Sequence, residues 1–141
     1  MERGAFVELD HTADLGLELY GPTPGAVLEA AQRGLVHVLF GETPGFESRE
    51  VREIELAATS WPDLLKAWLE SLYRLLEEEA FVALESRVET QAPARLTAKV
   101  LGAIADRDAI AHASELKAVT YHQLAFEPSG EGWGARVIFD V

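Results

Sequence analysis

The sequence predicts an α+β fold, a mixed or antiparallel β-sheet with two amphipathic helices packed on it, in one domain spanning residues 1–141. Most of the chain alternates apolar and polar residues with the period of a strand. Only two segments switch to the helical period, and they stand isolated among strands, so the strict βαβαβ alternation of a parallel fold is absent. The chain then closes on two consecutive hairpins.

Each element has its own justification. "FVELD" (6–10) and "LGLELYG" (15–21) alternate as strands. In "TPGAVLEAAQRGLVHVLFG" (23–41) Thr23 can cap, Pro24 suits the first helical position, and Gly41 can end the helix in the left-handed conformation. Its apolar face is Val27, Leu28, Ala31, Leu35, Val38 and Leu39. "VREIELAA" (51–58) reads as a strand of imperfect alternation. In "SWPDLLKAWLESLYRLLEEE" (60–79), Ser60 and Asp63 make a start like a capping box, ahead of a stripe of Leu64, Leu65, Trp68, Leu72, Leu75 and Leu76. Strands follow at 82–91, 94–104, 118–127 and 134–141, with Ala92-Pro93 and the glycine-rich "PSGEGWG" as the turns. Residues 105–116 carry no decisive pattern.

Composition narrows the function. A hydrophobic fraction of 48% and a charged fraction of 26% are those of an ordinary globular protein. No run approaches the roughly 20 apolar residues that span a bilayer, and "MERGAFVELD" lacks a signal-peptide core, so a cytoplasmic location without membrane partners is expected. The absence of cysteine removes disulfides, thiolate zinc sites and cysteine nucleophiles. Asparagine is also absent and Met1 is the only methionine, a depletion that a thermophilic source or a base-composition bias would produce. With 24 acidic against 12 basic residues and a net charge of -12, strong direct binding to nucleic acid is not expected; a cation or a basic protein fits better, and solubility alone would also favour such a surplus.

Three short stretches carry the candidate chemistry. "LDHTADLGLEL" (9–19) sets Asp10, His11 and Asp14 between two strands, without the Asn-Gly or Asp-Gly of a tight hairpin. "VIFDV" ends the last strand in Asp140, beside the α-carboxylate of Val141 if the chain stops there. Were the 10–14 turn to lie beside this end, two unit charges about 4 Å apart would repel by roughly 4 kcal/mol at an effective dielectric of 20, so a cation or a shared proton would have to intervene. Carboxylate oxygens without cysteine suit a hard divalent cation (Ca²⁺, Mg²⁺ or Mn²⁺) rather than zinc. The plainer alternative is a solvated turn and a solvated end.

"ELKAVTYHQL" holds Lys117, one of only three lysines, which either balances the carboxylates, reaches a phosphate or is simply a solvated lysine at a strand edge. His11 reads as a ligand, an acid-base group or a hydrogen-bonded turn residue; His37 reads as structural, and His112 and His122 form no zinc pattern. Trp61, Trp68 and Trp133 read as core or edge aromatics.

"DHTADLGLELYG", "KAVTYHQL" and the terminal "ARVIFDV", with "DLLKAWLESLYRLLEEEAFV" as a second helix, resemble the archease family in order and position across the whole chain. Archeases are accessory proteins of the RtcB-type tRNA-splicing RNA ligase. The resemblance implies a protein that is not itself an enzyme, helping the ligase attach GMP to its active-site histidine and turn over repeatedly. It also implies a divalent-metal site at Asp14, Asp140 and Val141, with Lys117 as the matching lysine and Asp10 and His11 as shell residues. The segment "DRDAIAHASE" departs from any fixed family pattern, which leaves docking contacts there open. Two rivals are a metal-dependent hydrolase or phosphotransferase using Asp14 and Asp140 directly, and a chaperone or adaptor of an RNA-modifying methyltransferase.

Overall fold

Helix α1 (Pro24–Phe40) begins where its capping residues place it: the Thr23 hydroxyl accepts from the Ala26 amide at 3.1 Å, and Pro24 occupies the first turn. It ends at Gly41, whose amide donates to the His37 carbonyl at 2.8 Å. The expected left-handed stop is only half realised, because φ is 77° but ψ is -109°. Helix α2 (Trp61–Glu79) is capped by the Ser60 hydroxyl, 3.3 Å from the Asp63 amide, and closes on Ala80 in the left-handed conformation.

The structure is a computed structural model that describes residues 3–10, 15–41, 46–47 and 49–141, with only the backbone of Asp10. Its strands are β1 (Ala5–Asp10), β2 (Leu15–Gly21), β3 (Glu50–Ala57), β4 (Phe81–Gln91), β5 (Arg95–Ile104), β6 (Ala118–Val119), β7 (Ala125–Ser129) and β8 (Gly132–Asp140). A short helix α3 (Arg107–His112) stands in the undecided segment, started by the Asp106 carboxylate accepting from the Ala109 amide.

The α+β class holds, and every strand pair is antiparallel. The strands nevertheless divide into two sheets where one was expected: β1-β2-β8-β6, with β7 also on β8, and β3-β5-β4. Both long helices touch strands of both sheets. The physical reason lies in α1. Its expected face is buried, but so are Gly25, Ala26, Ala30, Gly34 and Val36, and a helix apolar around all but the stripe of Glu29, Arg33 and His37 must be covered from more than one side. A β-carbon on Gly25 would stand 2.6 Å from the Val88 carbonyl of β4, and one on Gly34 would stand 2.7 Å from the Leu17 side chain of β2. Glycine thus lets α1 approach both sheets at once.

One contiguous core results, with Leu17, Val137 and Phe139 from the larger sheet, Phe81 and Val100 from the smaller, and Leu65, Trp68 and Leu69 from α2 between them. Trp68 is fully buried and donates its indole N–H to the Leu28 carbonyl at 2.8 Å. Trp61 and Trp133 pack with Phe126 in a cluster with ring centroids 5.7–5.9 Å apart.

The expected strand 118–127 is broken into β6 and β7 by a turn in which Leu124 donates to the Tyr121 carbonyl and Gln123 takes a φ of 53°. The final hairpin is tighter than the glycine-rich stretch suggested: Ser129 pairs with Gly132 across Gly130 and Glu131. Gly130 has a φ of 60°, the positive value a two-residue turn requires at its first central position.

Candidate functional site

Four strands of the larger sheet meet at one end. Asp10 stands opposite Leu15, Leu15 opposite Phe139, and Phe139 opposite Val119, so one row crosses the sheet. Partners in such a row share a face, and Phe139 (fully buried) and Val119 turn theirs into the core. Their neighbours therefore turn outward: Asp140 is exposed, and so is Ala118, its partner in the register.

Gly16 explains how β2 is seated here. A β-carbon on it would lie 2.7 Å from the Ile138 side chain and 3.0 Å from Leu9, so the missing side chain lets these two close over the strand. The glycine of "LGLEL" serves this packing and not a tight turn.

Lys117 joins the same edge. Its amide donates to the Asp140 carbonyl at 2.8 Å, while the preceding residue, Leu116, is buried and donates its amide to the Tyr73 hydroxyl at 3.0 Å. The lysine side chain is exposed, beside a cavity of about 90 Å³ lined by Glu70, Tyr73, Leu116, Lys117, Ala118 and Val119.

Of the sequence-predicted site residues, Lys117, Asp140 and Val141 thus share one edge, and Val141 is 46% exposed. Asp10 ends β1 at this edge, described by its backbone alone. His11 and Asp14 lie outside the described residues; Leu15, covalently bound to Asp14, stands opposite Phe139, covalently bound to Asp140. Among the described residues no three His, Cys, Asp or Glu side chains are close enough to hold a metal ion. His37 stands on α1 with its Nε2 3.0 Å from Glu8 and its ring 5.5 Å from that of Phe6.

Sequence reasoning missed Tyr73, whose position on α2 gives no signal distinct from the rest of an amphipathic helix. It also missed a polar cluster on the outer face of the larger sheet. There the Tyr20 hydroxyl donates to Glu18 at 2.6 Å, and Arg136 binds the other oxygen of the same carboxylate. The Tyr20 hydrogen bond, then Arg136, holds the Glu18 carboxyl below its ordinary range.

Comparison with known proteins gives matches over nearly the whole chain. The family model of the archease protein family (MTH1598/TM1083) matches residues 6–141. The protein archease of Methanosarcina barkeri is 35% identical over 137 residues, covering 94% of this chain and 93% of its own. That of Thermococcus gammatolerans is 35% identical over 136 residues, covering 94% and 95%. The solution structure of Methanobacterium thermoautotrophicum protein 1598 superposes with a TM-score of 0.75 at 27% identity, covering 100% of both chains. A Thermotoga maritima crystal structure, described as an archease and possible chaperone, gives a TM-score of 0.64 at 21% identity over 94% of each chain and supports the fold. With a family match running from Phe6 to Val141 and relatives 35% identical over 94% of its length, the chain belongs to the archease family.

Proposed function

We propose that this chain is a non-catalytic, cytoplasmic activator of a tRNA-splicing RNA ligase, promoting guanylylation of the ligase with GTP and its repeated turnover through an acidic tip that holds a divalent cation. The observation that carries the reading is the placement of Lys117 and Asp140 on one backbone hydrogen bond, at the sheet end where the strands flanking the 10–15 connection also meet.

The donor set fits a hard cation. Asp14 and Asp140 would supply carboxylate oxygens and Val141 its backbone oxygens, with Asp10 and His11 around them, a set that suits Ca²⁺, Mg²⁺ or Mn²⁺. When bound, such an ion would supply positive charge for phosphate oxygens. The chain's own contribution is positioning. Asp140 is carried by a strand whose preceding residues, Val137 to Phe139, are buried in the core, so its carboxylate is presented from a rigid base. Lys117, next to it, sets an ammonium group against the carboxylates or against a nucleotide phosphate. A chain of net charge -12 leaves the RNA to the ligase.

The test is single-turnover guanylylation of a purified cognate ligase with GTP and Mn²⁺ or Mg²⁺, with and without this protein, repeated with Asp14→Ala and Asp140→Ala. Asp140 is exposed, so its truncation should leave stability within about 0.5 kcal/mol. Stimulation by the parent that falls at least tenfold in the variants is the expected result. A folded parent that does not stimulate would turn the reading toward an adaptor, for instance of an RNA-modifying methyltransferase, which needs neither aspartate.

A further inference from the structure

Tyr73 is half-buried on α2, and its hydroxyl accepts a hydrogen bond from an amide 43 residues away, that of Leu116. Leu116 is the residue before Lys117. The Lys117 amide in turn donates to the Asp140 carbonyl at 2.8 Å, and both the amide and the hydroxyl of Thr120 donate to the Ile138 carbonyl at 3.0 Å. Residues 116–120 are therefore strung between α2 on one side and β8 on the other.

The strand in this segment, β6, is only two residues long. So short a ladder leaves its entry to other anchors: the Leu116 side chain buried in the core, the Ser114 amide donating to the Leu39 carbonyl at 2.7 Å, and the Tyr73 hydroxyl on the Leu116 amide. Glu70, which lines the same small cavity, is engaged elsewhere: it pairs with Lys66 at 3.0 Å, and the Lys66 ammonium sits 4.8 Å from the centre of the Tyr121 ring. The Tyr73 hydroxyl thus gives α2 a hydrogen bond to the backbone of the segment, beside the contact of Lys66 with the Tyr121 ring.

We propose that Tyr73 is a positioning residue: by holding the Leu116 amide, its hydroxyl fixes the backbone that presents Lys117 beside Asp140. The inference rests on the activating role proposed for Lys117. It assigns α2 a part in that role although the helix contributes no residue to the acidic tip.

Tyr73→Phe keeps the ring and removes only the hydroxyl, which accepts from the Leu116 amide. In the free protein, the Leu116 amide should exchange with solvent at least about tenfold faster, while amides in the middle of α2 exchange as in the parent. With the ligase, the maximal guanylylation rate should fall about fivefold, equivalent to about 1 kcal/mol of barrier, and the protein concentration giving half-maximal stimulation should stay unchanged. Lys117→Ala should lower the rate by at least as much, and the double variant should be no worse than Lys117→Ala alone. A purely structural role would lower the melting temperature and spare the maximal rate well below it.

Parental rate in Tyr73→Phe alongside a rate lost in Lys117→Ala would overturn the inference and leave the proposed function standing. Unchanged exchange at Leu116 would overturn it equally. A parent protein that fails to stimulate the ligase removes the proposed function itself, a result read from the parent without reference to Tyr73.

Discussion

Gln32 of α1 and Ser86 of β4 form a buried polar pair: the Ser86 hydroxyl donates to the Gln32 side-chain oxygen at 3.0 Å, and the Gln32 amide donates to the Ala83 carbonyl at 2.7 Å. One turn earlier on the helix, Glu29 accepts from the Val88 amide at 2.8 Å. Two polar side chains of a helix thereby satisfy backbone groups on the outer edge of the three-stranded sheet. Gln32→Leu would leave the Ala83 carbonyl and the Ser86 hydroxyl without these partners in a buried place. The cost should be about 3 kcal/mol, since each stranded group costs about 1–3 kcal/mol and the added apolar surface only partly offsets it. Calorimetry should show a melting temperature lower by roughly 10 °C. In a double-mutant cycle with Ser86→Ala, the combined loss should be smaller than the sum of the single losses.

The two glycines of α1 should respond differently to alanine. A β-carbon on Gly25 would meet the Val88 carbonyl, a backbone atom, at 2.6 Å, so Gly25→Ala should destabilise by about 2 kcal/mol in denaturant unfolding. At Gly34 the nearest obstacle is the end of the Leu17 side chain at 2.7 Å, with the Phe6 ring at 3.3 Å, side-chain atoms that yield more readily than backbone. Alanine there also gains about 1 kcal/mol of helix propensity, and Gly34→Ala should unfold within about 1 kcal/mol of the parent.

Ala80 ends α2 with φ 55° and ψ 25° and donates its amide to the Leu76 carbonyl at 3.0 Å. This conformation costs a residue with a β-carbon about 1–2 kcal/mol, whereas glycine adopts it freely. Part of that gain is lost to the greater freedom of glycine in the unfolded chain. Ala80→Gly should therefore stabilise the fold by about 0.5–1 kcal/mol, measured by chemical denaturation.

Glu18 and Tyr20 predict the shape of a pH profile. The Tyr20 hydrogen bond, followed by Arg136, lowers the Glu18 carboxyl, and the same hydrogen bond raises the Tyr20 hydroxyl above its ordinary value of 10.0. The Glu18 contribution is present above the ordinary carboxylate value and is lost as pH falls through the lowered one. The Tyr20 contribution is present below the ordinary tyrosine value and is lost as pH rises through the raised one. A carboxyl NMR titration should place the Glu18 midpoint below the ordinary glutamate value of 4.5, and Tyr20→Phe should move it upward.

The starts of α1 and α2 were legible because Thr23, Pro24, Ser60 and Asp63 act within a few residues of their own position. The second buried face of α1 was not. Ala26, Ala30 and Gly34 add little to an apolar pattern, yet their small size is what admits a second sheet. The turn between β6 and β7 was hidden for a related reason. "TYHQL" contains no glycine, proline, asparagine or aspartate, and the positive φ falls on Gln123.

The candidate site divides in the same way. Asp140 and Lys117 could be singled out by charge and rarity, but their adjacency depends on β6 pairing with β8, which no local signal in "KAVTYHQL" specifies. Resemblance to the family supplied that link. Tyr73 acts through one hydroxyl across 43 residues, beyond the reach of any periodicity.

The burial of α1 between two sheets bears on how the molecule opens. A helix with a solvent flank can fray along that flank while the rest of the fold stays closed, but α1 exposes little beyond Glu29, Arg33 and His37. It packs on β1, β2 and β8 of one sheet and on β4 of the other, so parting it from either exposes buried apolar surface. Release of the buried side of α1 should therefore coincide with loss of the whole structure, which makes this helix the keystone of the fold's cooperativity.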